Sequence, residues 1–190
     1  MTRLLTLAVL ASCETRAADN VTVAAQREGD AVRVSAHAVL RATPPVVWRT
    51  LTDYEHLAEF IPGMQKSKVV GHEGAATIVA QTGEAHLLLF SYPIDVTVAS
   101  VLHPPNEIRI HLIRGNLKQL DGGYRIKPLA GGRLALDWSG LIRPELALPP
   151  LIGEVLVRRS IEDQFLGMVR EIERRVASAD KASAEWLNLR

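Results

Sequence analysis

Between Met64 and Arg143 the sequence alternates apolar and polar residues almost without pause. The pauses are short turn signals: Gly71 to Gly74, Gly83-Glu84, His103-Pro104-Pro105-Asn106, Gly115-Asn116 and Gly131-Gly132. Strands joined by so few residues must pair antiparallel, because a parallel crossover needs a much longer connection. We read strands over 65–72, 75–84, 86–102, 107–114, 118–128 and 132–143. An earlier strand, 31–40, sets Val32, Val34, Ala36 and Ala38 on one face and Arg33, Ser35, His37 and Val39 on the other. Together they predict a curved antiparallel sheet of about seven strands. Asp121-Gly122-Gly123, inside one strand, predicts a bulge that helps the sheet curl.

Two short helices are expected after the first strand. Thr43 is placed to cap the first, and Pro44-Pro45 suit its opening turn. Val46, Val47, Thr50 and Leu51 then recur at helical spacing beside Trp48. Asp53 is expected to cap the second helix, Tyr54 to Phe60, which Pro62-Gly63 stops. After Pro149-Pro150 a long helix is predicted from Leu151 to Ala177. Ile161, Phe165, Met168, Val169, Ile172 and Val176 make its apolar stripe, with Glu171 and Arg175 able to pair. Residues 179–190 read as a polar, frayed tail. A curved sheet cannot close its own concave face, and only the long helix is large enough to cover it. The class is therefore α+β.

The 190 residues suit one domain, expected over 31–178, preceded by an extension at 19–30. Lys and Arg number 22 against 21 Asp and Glu, so no broad electrostatic grip on nucleic acid is expected. Residues 1–18 read as a targeting segment: Arg3 precedes the apolar run Leu4 to Ala11, with no acid. The run is too short to span a bilayer. It predicts export to the periplasm or the outer membrane. Leu10-Ala11-Ser12-Cys13 resembles a bacterial lipobox, in which Cys13 would carry a lipid anchor. Cleavage after Ala17 or Ala18 is the alternative exit.

Residues that could carry chemistry are scattered. His37, His56, His72, His86, His103 and His111 sit in different elements without a helical i, i+4 pair, so neither a metal nor another cofactor is expected. No serine or cysteine nucleophile has the required context. Asp95 and Asp137 lie on strands whose alternation sends them to solvent if Val96, Leu136 and Trp138 face inward. Arg109 and Arg125 fall on the same outer face. No catalytic residue is assigned.

The segments Ala42-Thr43-Pro44-Pro45-Val46-Val47-Trp48, Leu51-Thr52-Asp53-Tyr54-Glu55-His56-Leu57 and Phe60-Ile61-Pro62-Gly63-Met64 resemble the opening of START-like polyketide cyclase/dehydrase and coenzyme Q-binding domains. The resemblance spans about residues 30–178. It implies a helix-grip fold, in which sheet and long helix enclose an apolar cavity, without fixing one activity. Trp48, Phe60, Phe90, Val96, Val98, Ile110, Leu112, Tyr124, Trp138, Phe165 and Val169 are the expected lining, unless they fill a solid core. Tyr54, Arg143 and Arg159 are expected at the rim, where Arg158 and Arg159 could instead pair with Glu154 or Glu162. The expected function is binding or transport of a hydrophobic small molecule: a lipid, quinone or polycyclic compound. A polyketide-type cyclase or dehydratase, and an envelope interaction module without ligand, are the alternatives. Oligomeric state is not readable from the sequence.

Overall fold

The computed structural model describes residues 21–87, 90–145 and 150–188. The strands are β1 Val21–Glu28, β2 Ala31–Leu40, β3 Met64–Glu73, β4 Ala76–Leu87, β5 Phe90–His103, β6 Glu107–Gly115, β7 Leu117–Leu129 and β8 Arg133–Pro144. Between β2 and β3 lie α1, Pro44–Leu51, a 3-10 turn, Tyr54–His56, and α2, Leu57–Phe60. The closing helix, α3, is Pro150–Asn188. All strands join one antiparallel sheet in the order β1-β2-β8-β7-β6-β5-β4-β3. β2 reaches across to β8, so the two ends of the domain are fastened together early in the sheet.

The α+β class and the helix grip are as expected, with eight strands among the described residues where about seven were expected. Residues 21–28, expected as an extension, form β1, so the short helices follow the second strand and not the first. Val21, Val23 and Ala25 pack on the core from the sheet margin, where β1 is only partly buried. The Gly83-Glu84 break does not occur. Gly83 sits within β4, pressed so closely on Gly63 that no side chain fits. The bulge expected at Asp121-Gly122-Gly123 is also absent: pairing with β8 runs unbroken from Asp121–Leu141 to Gly123–Ser139. These glycines answer close approach instead, since a Cβ at Gly122 would lie 2.7 Å from the Ser139 carbonyl oxygen.

Helix ends follow local chemistry. The Thr43 carbonyl accepts from the amides of Val46 and Val47, while its side chain makes no cap bond. Pro44 and Pro45 occupy positions that need no donor. Asp53 does not cap the second helix with its side chain, which bonds His56 and Arg175. α3 runs beyond Ala177 through the segment expected to fray. Its Phe165, Met168, Val169 and Ile172 are buried against Val34, Ala36, Ala38 and Leu136 of the sheet. Each such side chain contributes about 1.5–3 kcal/mol by leaving water. The described part of α3, like every described helix, is not long and apolar enough to cross a membrane.

Candidate ligand-binding cavity

Side chains do not fill the space between the concave face of the sheet and α3. Two adjoining lobes remain, with five wall residues in common. The central lobe, about 140 Å³, lies between Val79, Val98, Ile108, Ile110 and Gly122 of the sheet and Phe165 and Met168 of α3. Tyr54, Leu57 and Ile61 cover it from the short helices. The end lobe, about 130 Å³, runs toward Ala85, Tyr92, Pro144 and Leu156. Both lobes are walled by Met64, Gln81, Leu120, Ile161 and Gln164, which form a waist between them.

Trp138 shows why the central lobe exists. A Cβ at Gly140 would stand 2.6 Å from its indole Cη2, and one at Gly122 3.4 Å from Cζ2. Missing side chains let the ring lie flat along β8 instead of projecting across the cavity. The covering segment is held down by a second close approach. A Cβ at Gly167 of α3 would lie 2.5 Å from both the Phe60 carbonyl oxygen and Pro62 Cδ.

Polar groups in the lobes are few and mostly engaged. The Tyr54 hydroxyl and Ser100 Oγ are 2.7 Å apart. The Tyr92 hydroxyl donates to the Asn116 carbonyl at 2.7 Å. Gln81 and Gln164 donate their amide hydrogens to Ser67 and Ser160 at 3.4 and 3.1 Å. Burial raises the pKa of Tyr54, partly offset by Ser100. Burial, with Tyr54 as neighbour, pushes the Tyr124 phenol far above its ordinary range. Tyr124 is nevertheless only half-buried by surface area, because the surface it exposes is cavity wall.

Seven of the sequence-predicted residues meet around the lobes. Val98, Ile110, Tyr124, Trp138 and Phe165 line the central lobe and Val96 the end lobe; Tyr54, expected at the rim, is part of the central wall. Trp48 and Phe60 pack half-buried outside the lobes, Leu112 supports the Val79–Val96–Val98 cluster, and Val169 is solid core. The Phe90 side chain and Cys13 lie outside the described residues. Arg143 pairs with Asp30 at 3.0 Å, and Arg159 with Asp163 at 3.3 Å, so neither guanidinium stands at a lobe. Arg158 meets Glu162 at 3.5 Å. Asp95 is exposed, and Asp137 pairs on the outer face with His37 at 2.7 Å and Lys127 at 2.9 Å. The waist residues were missed. Gln164 carried a signal, since it sits on the apolar stripe three residues from Ile161 and four from Met168.

The comparisons agree with this architecture. The same fold recurs in the Zhui aromatase/cyclase from Streptomyces sp. R1128, with 17% identity, coverage of 77% of this chain and 96% of that one, and a TM-score of 0.64. A STAR-related lipid transfer protein from Xanthomonas axonopodis matches with 10% identity, 82% and 94% coverage, and a TM-score of 0.66. Human STARD10 matches with 11% identity, 89% and 77% coverage, and a TM-score of 0.65. No curated protein matches the sequence. Residues 40–165, the stretch that builds the covering helices, the waist and most of the cavity wall, match the family model of polyketide cyclase / dehydrase and lipid transport. The chain belongs to that polyketide cyclase/dehydrase and lipid transport family.

Proposed function

We propose that this protein binds and carries a hydrophobic small molecule in the two-lobed cavity. One observation carries the reading: two apolar lobes lie between the sheet and α3, sharing the wall residues Met64, Gln81, Leu120, Ile161 and Gln164. Leaving one lobe of this size empty costs about 3 kcal/mol on the mutational cavity scale. A ligand relieves that cost, and each methylene it buries contributes about 0.8 kcal/mol more. The solved STAR-related lipid transfer protein with this fold supports the same reading. A cyclase or dehydratase would need a proton donor and acceptor facing each other across the ligand. The ionisable groups lining the lobes, among the described residues, are Tyr54, Tyr92, Tyr124 and Glu84. Glu84 is engaged with Gln65 and Ser91, so carriage is the simpler account.

Mass spectrometry of molecules extracted from the purified protein tests it. A hydrophobic compound recovered at near-stoichiometric amount supports carriage, and its chemical conversion by the protein would replace carriage with catalysis. Protein that yields no such compound and takes up no apolar probe would overturn the reading.

We also place the carrier in the cell envelope, on the strength of Arg3, the apolar run Leu4 to Ala11 and Cys13 after Leu10-Ala11-Ser12. Fractionation of cells expressing the wild type and Cys13→Ser tests both parts. Wild type in the membrane fraction and Cys13→Ser free in the periplasm is the expected result. Wild type in the cytoplasm would sink the export reading.

A further inference from the structure

We propose that the central lobe selects an uncharged ligand by a single hydrogen bond, with the Tyr124 hydroxyl donating to a carbonyl, ether or hydroxyl oxygen on a ring-sized apolar body. The proposal rests on the carrier reading and adds the chemical class of the cargo.

Tyr124 stands in the wall of the central lobe, and its hydroxyl has no hydrogen-bond partner among the described residues. A buried phenol usually has one, because an unmade bond in an apolar setting is costly. Its neighbour Tyr54 is already engaged with Ser100. The free donor therefore faces the lobe, where a guest oxygen can displace water and accept from it.

Charge narrows the guest. Among the described residues lining the two lobes there is no Lys, Arg or His, and the one charged side chain is the acid Glu84. Nearby cations are taken: Arg175 by Asp53 and Glu171, Arg143 by Asp30, Arg159 by Asp163. A carboxylate or phosphate drawn inside would meet no countercharge and would lose its hydration. A neutral oxygen loses far less, and Tyr124 replaces its water.

Size narrows it again. A dry cavity of about 150 Å³ accommodates one benzene ring. Each lobe here, about 130 and 140 Å³, takes one such ring. A body of one ring, or two at most, then matches the space beside the waist. Its amides, Gln81 and Gln164, are neutral, and neither carbonyl oxygen has a partner among the described residues.

Three naphthalene derivatives of matched size test this on the purified full-length protein after delipidation. Each competes with the neutral fluorescent probe N-phenyl-1-naphthylamine: 2-ethylnaphthalene, 2-acetylnaphthalene and 2-naphthoate. The wild type is expected to bind the ketone at least as tightly as the hydrocarbon, and the carboxylate roughly tenfold or more weaker. Tyr124→Phe is expected to lower the ketone-to-hydrocarbon affinity ratio about tenfold while leaving the hydrocarbon unchanged. An unchanged ratio, or 2-naphthoate as the best competitor, overturns the selection rule while the carrier reading stands. Failure of the probe and all three compounds to bind overturns the carrier reading itself. Should Tyr124→Phe not fold, the wild-type ranking of ketone, hydrocarbon and carboxylate decides alone.

Discussion

Arg175 and Asp53, 122 residues apart in sequence, meet with Nη2 2.7 Å from Oδ2. The pair ties the turn that begins the cavity cover to α3. Glu171 holds the other side of the guanidinium at 2.7 Å, and the Phe60 ring lies 5.6 Å from its carbon. Glu171 is a buried acid, so its two arginine partners, Arg174 and Arg175, are what make its burial tolerable.

Arg175→Ala should therefore destabilise the domain by about 2 kcal/mol, because it leaves Asp53 and Glu171 short of a partner and frees Phe60. Urea unfolding measures this. A loss within error of zero would mean that the tie is ornamental.

The same cluster sets a pH dependence. Asp53 titrates below the ordinary carboxylate range: burial opposes its ionisation, and bonds from His56 and Arg175 outweigh that. Glu171 is lowered by Arg174 first, against burial, with Arg175 adding. Groups lowered in this way stabilise above their unfolded values and lose that contribution as pH falls through their folded ones. His56 is raised, chiefly by Asp53, so its contribution is complete below about pH 6.5 and disappears as pH rises through its folded value. Glu173, raised by burial, works the opposite way to the other two acids. The tie is thus firmest between about pH 5 and 6.5. Urea midpoints at pH 3, 5.5 and 8 should peak at 5.5, and His56→Gln should flatten the alkaline limb.

Gly167→Ala tests how the cover is seated. On an unpacked helix this change gains up to about 1 kcal/mol. Here the new methyl group meets Phe60 and Pro62, so a loss of about 2 kcal/mol is expected. The sign of the change in thermal midpoint separates the two outcomes.

Leu120→Trp should obstruct the waist. Binding of N-phenyl-1-naphthylamine is expected to weaken about tenfold, while the filled void keeps stability within about 1 kcal/mol of wild type. Unaltered binding would place the probe site elsewhere.

Asp95→Asn and Asp137→Asn should leave probe affinity unchanged. Both side chains belong to the outer face, and the ion pairs of Asp137 are partly exposed, worth at most about 1 kcal/mol in unfolding measurements.

The architecture was legible because its periods are strong. Val32 to Ala38 alternate cleanly, and Phe165, Met168, Val169 and Ile172 recur at helical spacing, so burial on one face followed directly. β1 was not, because a margin strand is only half covered and its apolar residues are small. Gly83 misled for a related reason: glycine marks a turn and a tight backbone crossing alike, and only the fold brings Gly63 beside it. Within the cavity, large apolar residues were recoverable as a set, yet nothing local separates Trp138, which faces space, from Val169, which faces neighbours. Asp53 looked like a cap because its partner Arg175 is remote in sequence. The waist depends on where β3, β4, β7 and α3 converge, a property of the assembled domain.

The sheet has two open margins, and they are guarded differently. β1 is packed against by α3, whereas β3 shows irregular pairing between Met64 and Lys66 and again between Val69 and Gly71, with Lys66 and Lys68 exposed. An uneven, positively charged border is a poor template for a second copy to zip onto. The proposed carrier would thus keep its β3 margin from pairing with a second copy, although Val70 on that strand is exposed.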